Sequence, residues 1–435
     1  MHHADVVIHN AGQLVTCASR GKPKLGAELQ DVGIIENGSV ALTGGTIAGV
    51  GRSQDIAREF KAEINIDAQR KVVTPGFVDC HTHIIYAGDR LNEFELKIKG
   101  TDYLEILNNG GGIISTVRHT REASLEELVE QSRERLDKML AFGTTTAEVK
   151  TGYGLDTDTE MTMLKVIEEL DRSHAIDLVP TFLGAHAIPP EFKENADDYV
   201  NLICGEMLPK AWEWYLTTYF FTNNTPFFAD VFCEKNAFDF QQSKRILNAA
   251  KALGFGIKAH VDEFTNLGGS RLAIGLDAVS IDHLDMISDE EIQLLANSET
   301  VGIVTPTVNF NFGSSEFADA RRMINSGCAI ALSTDFNPGS APCPSQPMAM
   351  AIACRYQKLL PSEALNAATV NAAFAVGLGA MTGSIEAGKH ADILILDCDD
   401  YREIAYEFGG NLVRTVIKKG EIVSKQKFPS PEFNF

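Results

Sequence analysis

The sequence predicts an α/β protein, a TIM (β/α)8 barrel with a small β-sandwich domain formed from both chain termini. Three observations predict it. Eight apolar segments alternate with amphipathic helical stretches through the middle of the chain, both ends read instead as short strands separated by glycines, and histidines recur where the apolar segments finish.

Taken in order, the N-terminal end contains "ADVVIHNA", "GSVALTGGTIAGVG" and "AEINIDA", with a helical period only around "SQDIAREF". The C-terminal end repeats the style in "GKHADILILD" and "LVRTVIKKGEIVSK". Neither end has enough strands to bury a sheet face alone, so residues 1–71 and 376–435 are expected to meet in one domain. Between them, "GFVDCHTH", "GTTTAEVK", "DLVPTFLGAH", "FFADVFCEK", "FGIKAHVDE", "DAVSIDHL", "VGIVTPTV" and "AIALSTDF" supply the eight strands of a barrel over residues 72–375. The clearest intervening helix is "SLEELVEQSRERLDKMLAFG", with Ser124 and Glu127 as a capping box and Gly143 as its stop.

Two segments stand apart. "NNGGGIISTVRHT", residues 108–120, lacks the Lys-Ser/Thr of a phosphate cradle and reads as a glycine-rich lid. "AWEWYLTTYFFTNNTPFF", residues 211–228, holds both tryptophans and reads as core or subunit-contact packing.

Composition bounds the partners. The 38 Lys and Arg against 59 Asp and Glu give a formal charge of -21, which disfavours nucleic acid and anionic membrane and favours a small-molecule partner. No apolar run reaches the ~18 residues of a membrane helix, and "MHHADVVIHN" lacks a signal-peptide pattern, so a cytoplasmic protein is expected. Eight cysteines without a CxxC read as reduced, mostly buried thiols.

Active sites of such barrels form at the C-terminal ends of the strands, where His81, His83, His186, His260 and His283 all fall. His81 and His83 are two apart, so on a strand both face the same way. His260 and Asp335 complete a set of three neutral nitrogens and one carboxylate, which suits one divalent ion per subunit, zinc or iron. Such an ion lowers the pKa of bound water toward neutrality, and Asp335 is placed to accept its proton. His283 is read as orienting the nucleophile or polarising a carbonyl, and Glu263 as a proton shuttle; the competing readings are a core histidine and a solvated glutamate.

These residues, with "PGFVDCHTHIIYAGDRLNEFELKIKGTDYLEI", "GGGIISTVRHTR", "EVKTGYGL", "LGAHAIPPE", "DVFCE" and "STDFNPGSAP", resemble the imidazolonepropionase branch of the amidohydrolase superfamily over nearly the whole chain. The resemblance implies hydrolysis of the ring C–N bond of 4-imidazolone-5-propanoate to N-formimidoyl-L-glutamate, in histidine degradation. It implies metal ligation by His81, His83, His260 and Asp335, and substrate contacts from Arg90, Tyr153, His186, Glu263, Asn337, Gly339 and Ser340. A homodimer follows from the same analogy. Arg90 suits a substrate carboxylate, because a guanidinium grips one with two parallel hydrogen bonds; the competing reading is an ion pair with Asp89 or Glu93. The aromatic segment 211–228 is bulkier than the family pattern suggests, and Lys150 raises the question of a carboxylated lysine bridging two metals, which its place on the second strand argues against. The runner-up activity is a mononuclear amidohydrolase-type deaminase of a purine or cytosine-like ring, and a non-catalytic barrel has no chemical need for all four ligand positions.

Overall fold

The computed structural model describes residues 1–100 and 111–425. Both chain ends build a single eight-stranded sheet. The long strand His2–Val15 pairs antiparallel with Ile34–Thr43, and parallel with both Phe60–Asp67 and Val72–Pro75. From the other end of the chain, Ile393–Leu396 pairs antiparallel with Val72–Pro75, and Val413–Lys418 and Glu421–Lys425 extend the path. Alternation along these strands turns Val6, Ile8 and Leu14 inward, where they share one core with Val40, Leu42, Ile393, Ile395 and Ile417. Burying a side chain of this kind contributes about 1.5–3 kcal/mol, which neither chain end collects without the other. Val72–Pro75 belongs to this sheet, so the chain crosses into the barrel at Gly76.

The barrel strands are Phe77–Asp79, Thr144–Lys150, Asp177–Ala185, Phe228–Cys233, the pair Gly256–Ile257 and His260–Val261, Ser280–His283, Val301–Val304 and Ile330–Leu332. Each pairs in parallel with its sequence neighbours. The ring closes where His83 N donates to Phe336 O at 2.9 Å, beside a bridge between Thr82 and Phe336. Most strand residues are buried, which explains why the strands read as continuous apolar runs rather than alternating ones. The predicted helix is Leu125–Ala141; Ser124 Oγ accepts from Glu127 N, and Gly143 follows at φ 91°.

One element differs from the sequence reading. Residues 108–110 of the glycine-rich segment lie outside the described residues, but Ile113–Glu122 is a helix, started by Gly112 at φ 72°, rather than part of a loop. The aromatic segment forms the helices Leu208–Thr217 and Tyr219–Thr222, and its Trp212 packs with Tyr215, Phe227 and Phe255. Nearby, residues Ile203–Met207 form a π-turn that passes directly into the first of these helices.

The terminal sheet is fastened to the start of the barrel strands. Lys418 Nζ lies 2.8 Å from both Asp392 Oδ2 and Asp177 Oδ2, and Asp177 opens the third strand. Asn371 Nδ2 donates to Ile330 O, at the start of the eighth strand, and to Lys24 O. The opposite strand ends are thereby left for chemistry. Among the described residues, no helix is long and apolar enough to cross a membrane.

Candidate active site

Four predicted ligands meet at the C-terminal end of the barrel. His81 and His83 follow the first strand with their rings on one side, while Thr82 between them turns away and donates through Oγ1 to Glu148 O at 2.6 Å. His83 Nε2 lies 3.2 Å from His81 Nε2 and 3.3 Å from His260 Nε2. Asp335 Oδ1 stands 3.5 Å from the Nε2 atoms of both His81 and His83. The backbone is strained where two of the site's side chains are aimed inward: His283 adopts φ 82° and Asp335 φ 49°. Such conformations cost on the order of 1–3 kcal/mol each and persist where surrounding structure enforces them.

Behind the imidazoles lies a layer of buried charge. His81 Nδ1 donates to Asp282 Oδ2 at 2.6 Å, which leaves Nε2 as the free lone pair. His260 Nδ1 lies 3.0 Å from Asp230 Oδ2, close enough for charge contact although its angle falls short of a hydrogen bond. Lys150 Nζ joins these carboxylates, 2.8 Å from Asp230 Oδ2 and 3.6 Å from Asp282 Oδ2, and also contacts Glu148 Oε1 at 2.6 Å. Burial works against its charge, but Asp230, Glu148 and Asp282 outweigh burial and hold its pKa above the usual lysine value. Lys150 is therefore an ion-paired ammonium.

The donor set fits a divalent cation. Burial, followed by neighbouring positive charge, holds His81 and His83 well below the usual imidazole range, in the neutral form that ligates. Asp335 Oδ1 is buried without a hydrogen-bond partner among the described residues, and burial pushes the carboxyl up to about 7. A buried carboxylate facing the Nε2 atoms of His81 and His83, with His260 beside them, is an arrangement that a cation relieves.

Around this centre stand the other predicted residues. The His186 ring stacks on that of His83, with centroids 4.9 Å apart, and its Nδ1 bonds Gly152 O at 3.0 Å. Gly152 is at φ 109°, and a Cβ there would lie 2.8 Å from His186 Nδ1. Tyr153 is buried with its ring centroid 5.9 Å from that of His83, and burial keeps its hydroxyl protonated. His283 Nδ1 pairs with Thr305 Oγ1 at 3.1 Å, while its Nε2 has no hydrogen-bond partner among the described residues and lies 3.9 Å from Glu263 Oε2. Burial, then the charge of Asp335, raises the Glu263 carboxyl well above its usual range.

Arg90 does form the ion pair considered as its competing reading. Its Nε and Nη2 both reach Glu93 Oε2, at 2.8 and 2.5 Å. The pair is largely enclosed, and Arg90 Nη1 packs against Gly339, where a Cβ would come within 2.3 Å of it. Asn337 is committed to its own turn: Nδ2 donates to Asp335 O and Ser340 Oγ at 2.7 Å, and Oδ1 accepts from Gly339 N and Ser340 N at 2.8 Å. The turn thereby ties Asp335 to the surface on which Arg90 rests.

A model of the amidohydrolase family matches residues 72–423. Curated imidazolonepropionases of Chloroflexus aggregans and Herpetosiphon aurantiacus are 52% and 50% identical to the chain, covering 97% and 98% of it and 99% of each relative. The chain belongs to the imidazolonepropionase branch of the amidohydrolase family. Among solved structures, a zinc-bound adenosine deaminase from Xanthomonas campestris superposes with a TM-score of 0.71 at 19% identity, covering 97% of this chain and 93% of that one; it shares the fold.

Sequence reasoning missed Asp230, Asp282 and the use made of Lys150. "FADVFC" carries an acidic residue inside an otherwise apolar strand, and "SIDH" carries one inside a strand whose four residues are all buried. A carboxylate there has to be paired, and that was the available signal.

Proposed function

We propose that this chain hydrolyses the ring C–N bond of 4-imidazolone-5-propanoate to N-formimidoyl-L-glutamate, a step of histidine degradation. The observation that carries the reading is the buried group of His81, His83 and His260 with Asp335 3.5 Å from the first two, in a chain 52% identical over nearly its full length to an imidazolonepropionase.

His81, His83, His260 and Asp335 would hold one divalent metal ion, zinc or iron, each of which suits three imidazoles and a carboxylate. When bound, the ion lowers the pKa of a coordinated water so that the water is nucleophilic near neutrality. The remaining steps belong to the chain's side chains. Arg90 binds the propanoate, Tyr153 donates its hydroxyl to the substrate, and His186 offers Nε2, because its Nδ1 is engaged with Gly152 O. Gly339 and Ser340 complete the wall after Asp335, in the turn that Asn337 holds.

His283 polarises the ring carbonyl through Nε2, with the Thr305 hydroxyl donating to Nδ1. Water oxygen adds to the carbonyl carbon as Asp335 takes its proton. The C–N bond then breaks, and the proton passes to the departing nitrogen with Glu263 as the relay. Burial, then the charge of Asp335, raises the pKa of that carboxyl, the direction that suits a proton donor.

The test is incubation of the purified chain with 4-imidazolone-5-propanoate, following the appearance of N-formimidoyl-L-glutamate. Ammonia release from purine or cytosine-like rings, with the imidazolone left untouched, would establish the deaminase reading instead. The eight cysteines, none of them in a disulfide, accord with a cytoplasmic enzyme. A homodimer is part of this reading, and sedimentation mass checks it.

A further inference from the structure

Arg90 is the cation assigned to the substrate's carboxylate, yet Glu93, a buried acid, already holds it. Glu93 is 8% exposed, and its two oxygens do different work. Oε2 accepts from Arg90 Nε at 2.8 Å and Nη2 at 2.5 Å, while Oε1 accepts from Gly112 N at 2.8 Å. Gly112 starts the helix Ile113–Glu122, so a single carboxylate joins the segment after the first barrel strand to the segment that caps this helix. On its other side, Arg90 Nη1 lies against Gly339, in the turn after Asp335. A guanidinium has five N–H donors, and Glu93 occupies the Nε edge with two of them. The Nη1–Nη2 edge keeps three, which have no hydrogen-bond partner among the described residues and are enough for end-on bidentate contact with a second carboxylate.

We infer that Glu93 is a positioning residue for substrate selection, fixing Arg90 so that its free edge meets the carboxylate tail. The inference rests on the reading of Arg90 as the tail's partner. A negative charge beside a carboxylate-binding site opposes binding, so its presence there calls for a compensating role. Fixing one rotamer of a long, flexible side chain supplies that role, because a free arginine would have to be ordered on binding. Gln in place of Glu93 has the same shape but only one acceptor. Turned one way it loses Arg90, and turned the other it sets an N–H against Gly112 N.

Two stable probes separate positioning from general damage: imidazole-4-propanoate and its neutral propanamide. Both present the same ring to the metal-loaded, full-length chain, so the ratio of their Kd values isolates the tail. The wild type is expected to prefer the propanoate by about tenfold or more, the scale of hydrogen bonds to charged groups. Arg90→Ala is expected to abolish the preference, Glu93→Gln to remove most of it with propanamide binding unchanged, and Glu93→Asp, which keeps the charge, to restore part of it. If Arg90→Ala abolishes the preference while Glu93→Gln keeps or increases it, Glu93 does not position Arg90. Equal weakening of both probes in Glu93→Gln and Glu93→Asp also overturns the inference, since it marks a purely structural role. A preference that survives Arg90→Ala instead overturns the assignment of Arg90 itself, and the inference with it.

Discussion

Asp282 shows how much of the centre depends on the buried charges behind the imidazoles. Its Oδ2 sits 2.6 Å from His81 Nδ1 and fixes the tautomer that frees Nε2. Asp282→Asn is expected to weaken metal binding by about 10–100-fold, read by competition with a chelator, because its amide N–H can face the ring nitrogen. Arg90→Ala is expected to raise KM for the imidazolone substrate by about tenfold or more with a smaller change in kcat, since tail binding is lost in ground and transition states alike. Asp285 supplies a pH test. Burial pushes its carboxyl up to about 7, and Oδ1 alone accepts from Asn309 Nδ2 and Ala318 N, so Asp285→Asn keeps both bonds. A folded pKa raised above the unfolded value of about 4 means that stability is fully present below pH 4 and is lost as pH rises toward 7. Urea unfolding should therefore show Asp285→Asn gaining on the wild type between pH 4 and 7; a constant difference would contradict the shift. The convergence of His81, His83, His260 and Asp335 was legible in the sequence because two histidines one residue apart face the same way, and His260 and Asp335 stand at strand ends. Asp230 and Asp282 were not, because a buried carboxylate is recognised by its partner, and Lys150 comes from a distant part of the chain.

Among the elements, helix Leu125–Ala141 was readable almost to the residue because its start signal is local: Ser124 and Glu127 satisfy each other's backbone groups. Ser124→Ala is expected to cost about 1 kcal/mol, a drop in Tm of about 2–4 °C for a unit of this size, measured by circular dichroism. The helix Ile113–Glu122 was misread as loop because glycines precede it and its first turn has no side-chain cap. Turns that hold the site are less forgiving than helix caps. Gly152→Ala would bring a Cβ to 2.8 Å from His186 Nδ1 and 2.9 Å from Leu183 O. That substitution should lower kcat/KM more than it lowers Tm, and an unchanged kcat/KM would remove His186 from the substrate wall.

At the level of the whole molecule, the chain ends were legible as one unit because each has strands but too few to bury a face. Their shared core of Val40, Leu42, Ile393 and Ile395 carries that argument. How the unit docks was not legible, since it depends on Lys418, paired with Asp392, also meeting Asp177 more than two hundred residues away in the chain. Docking at the start of the strands leaves the far end of the barrel to His81, His83, His260, Asp335 and Arg90. The most direct test of that arrangement is turnover of 4-imidazolone-5-propanoate with bound metal quantified in the same preparation. N-formimidoyl-L-glutamate should form at a rate proportional to metal content, up to one divalent ion per chain. Turnover that persists undiminished after the metal is stripped, or a metal-saturated chain that leaves the imidazolone intact, would contradict it.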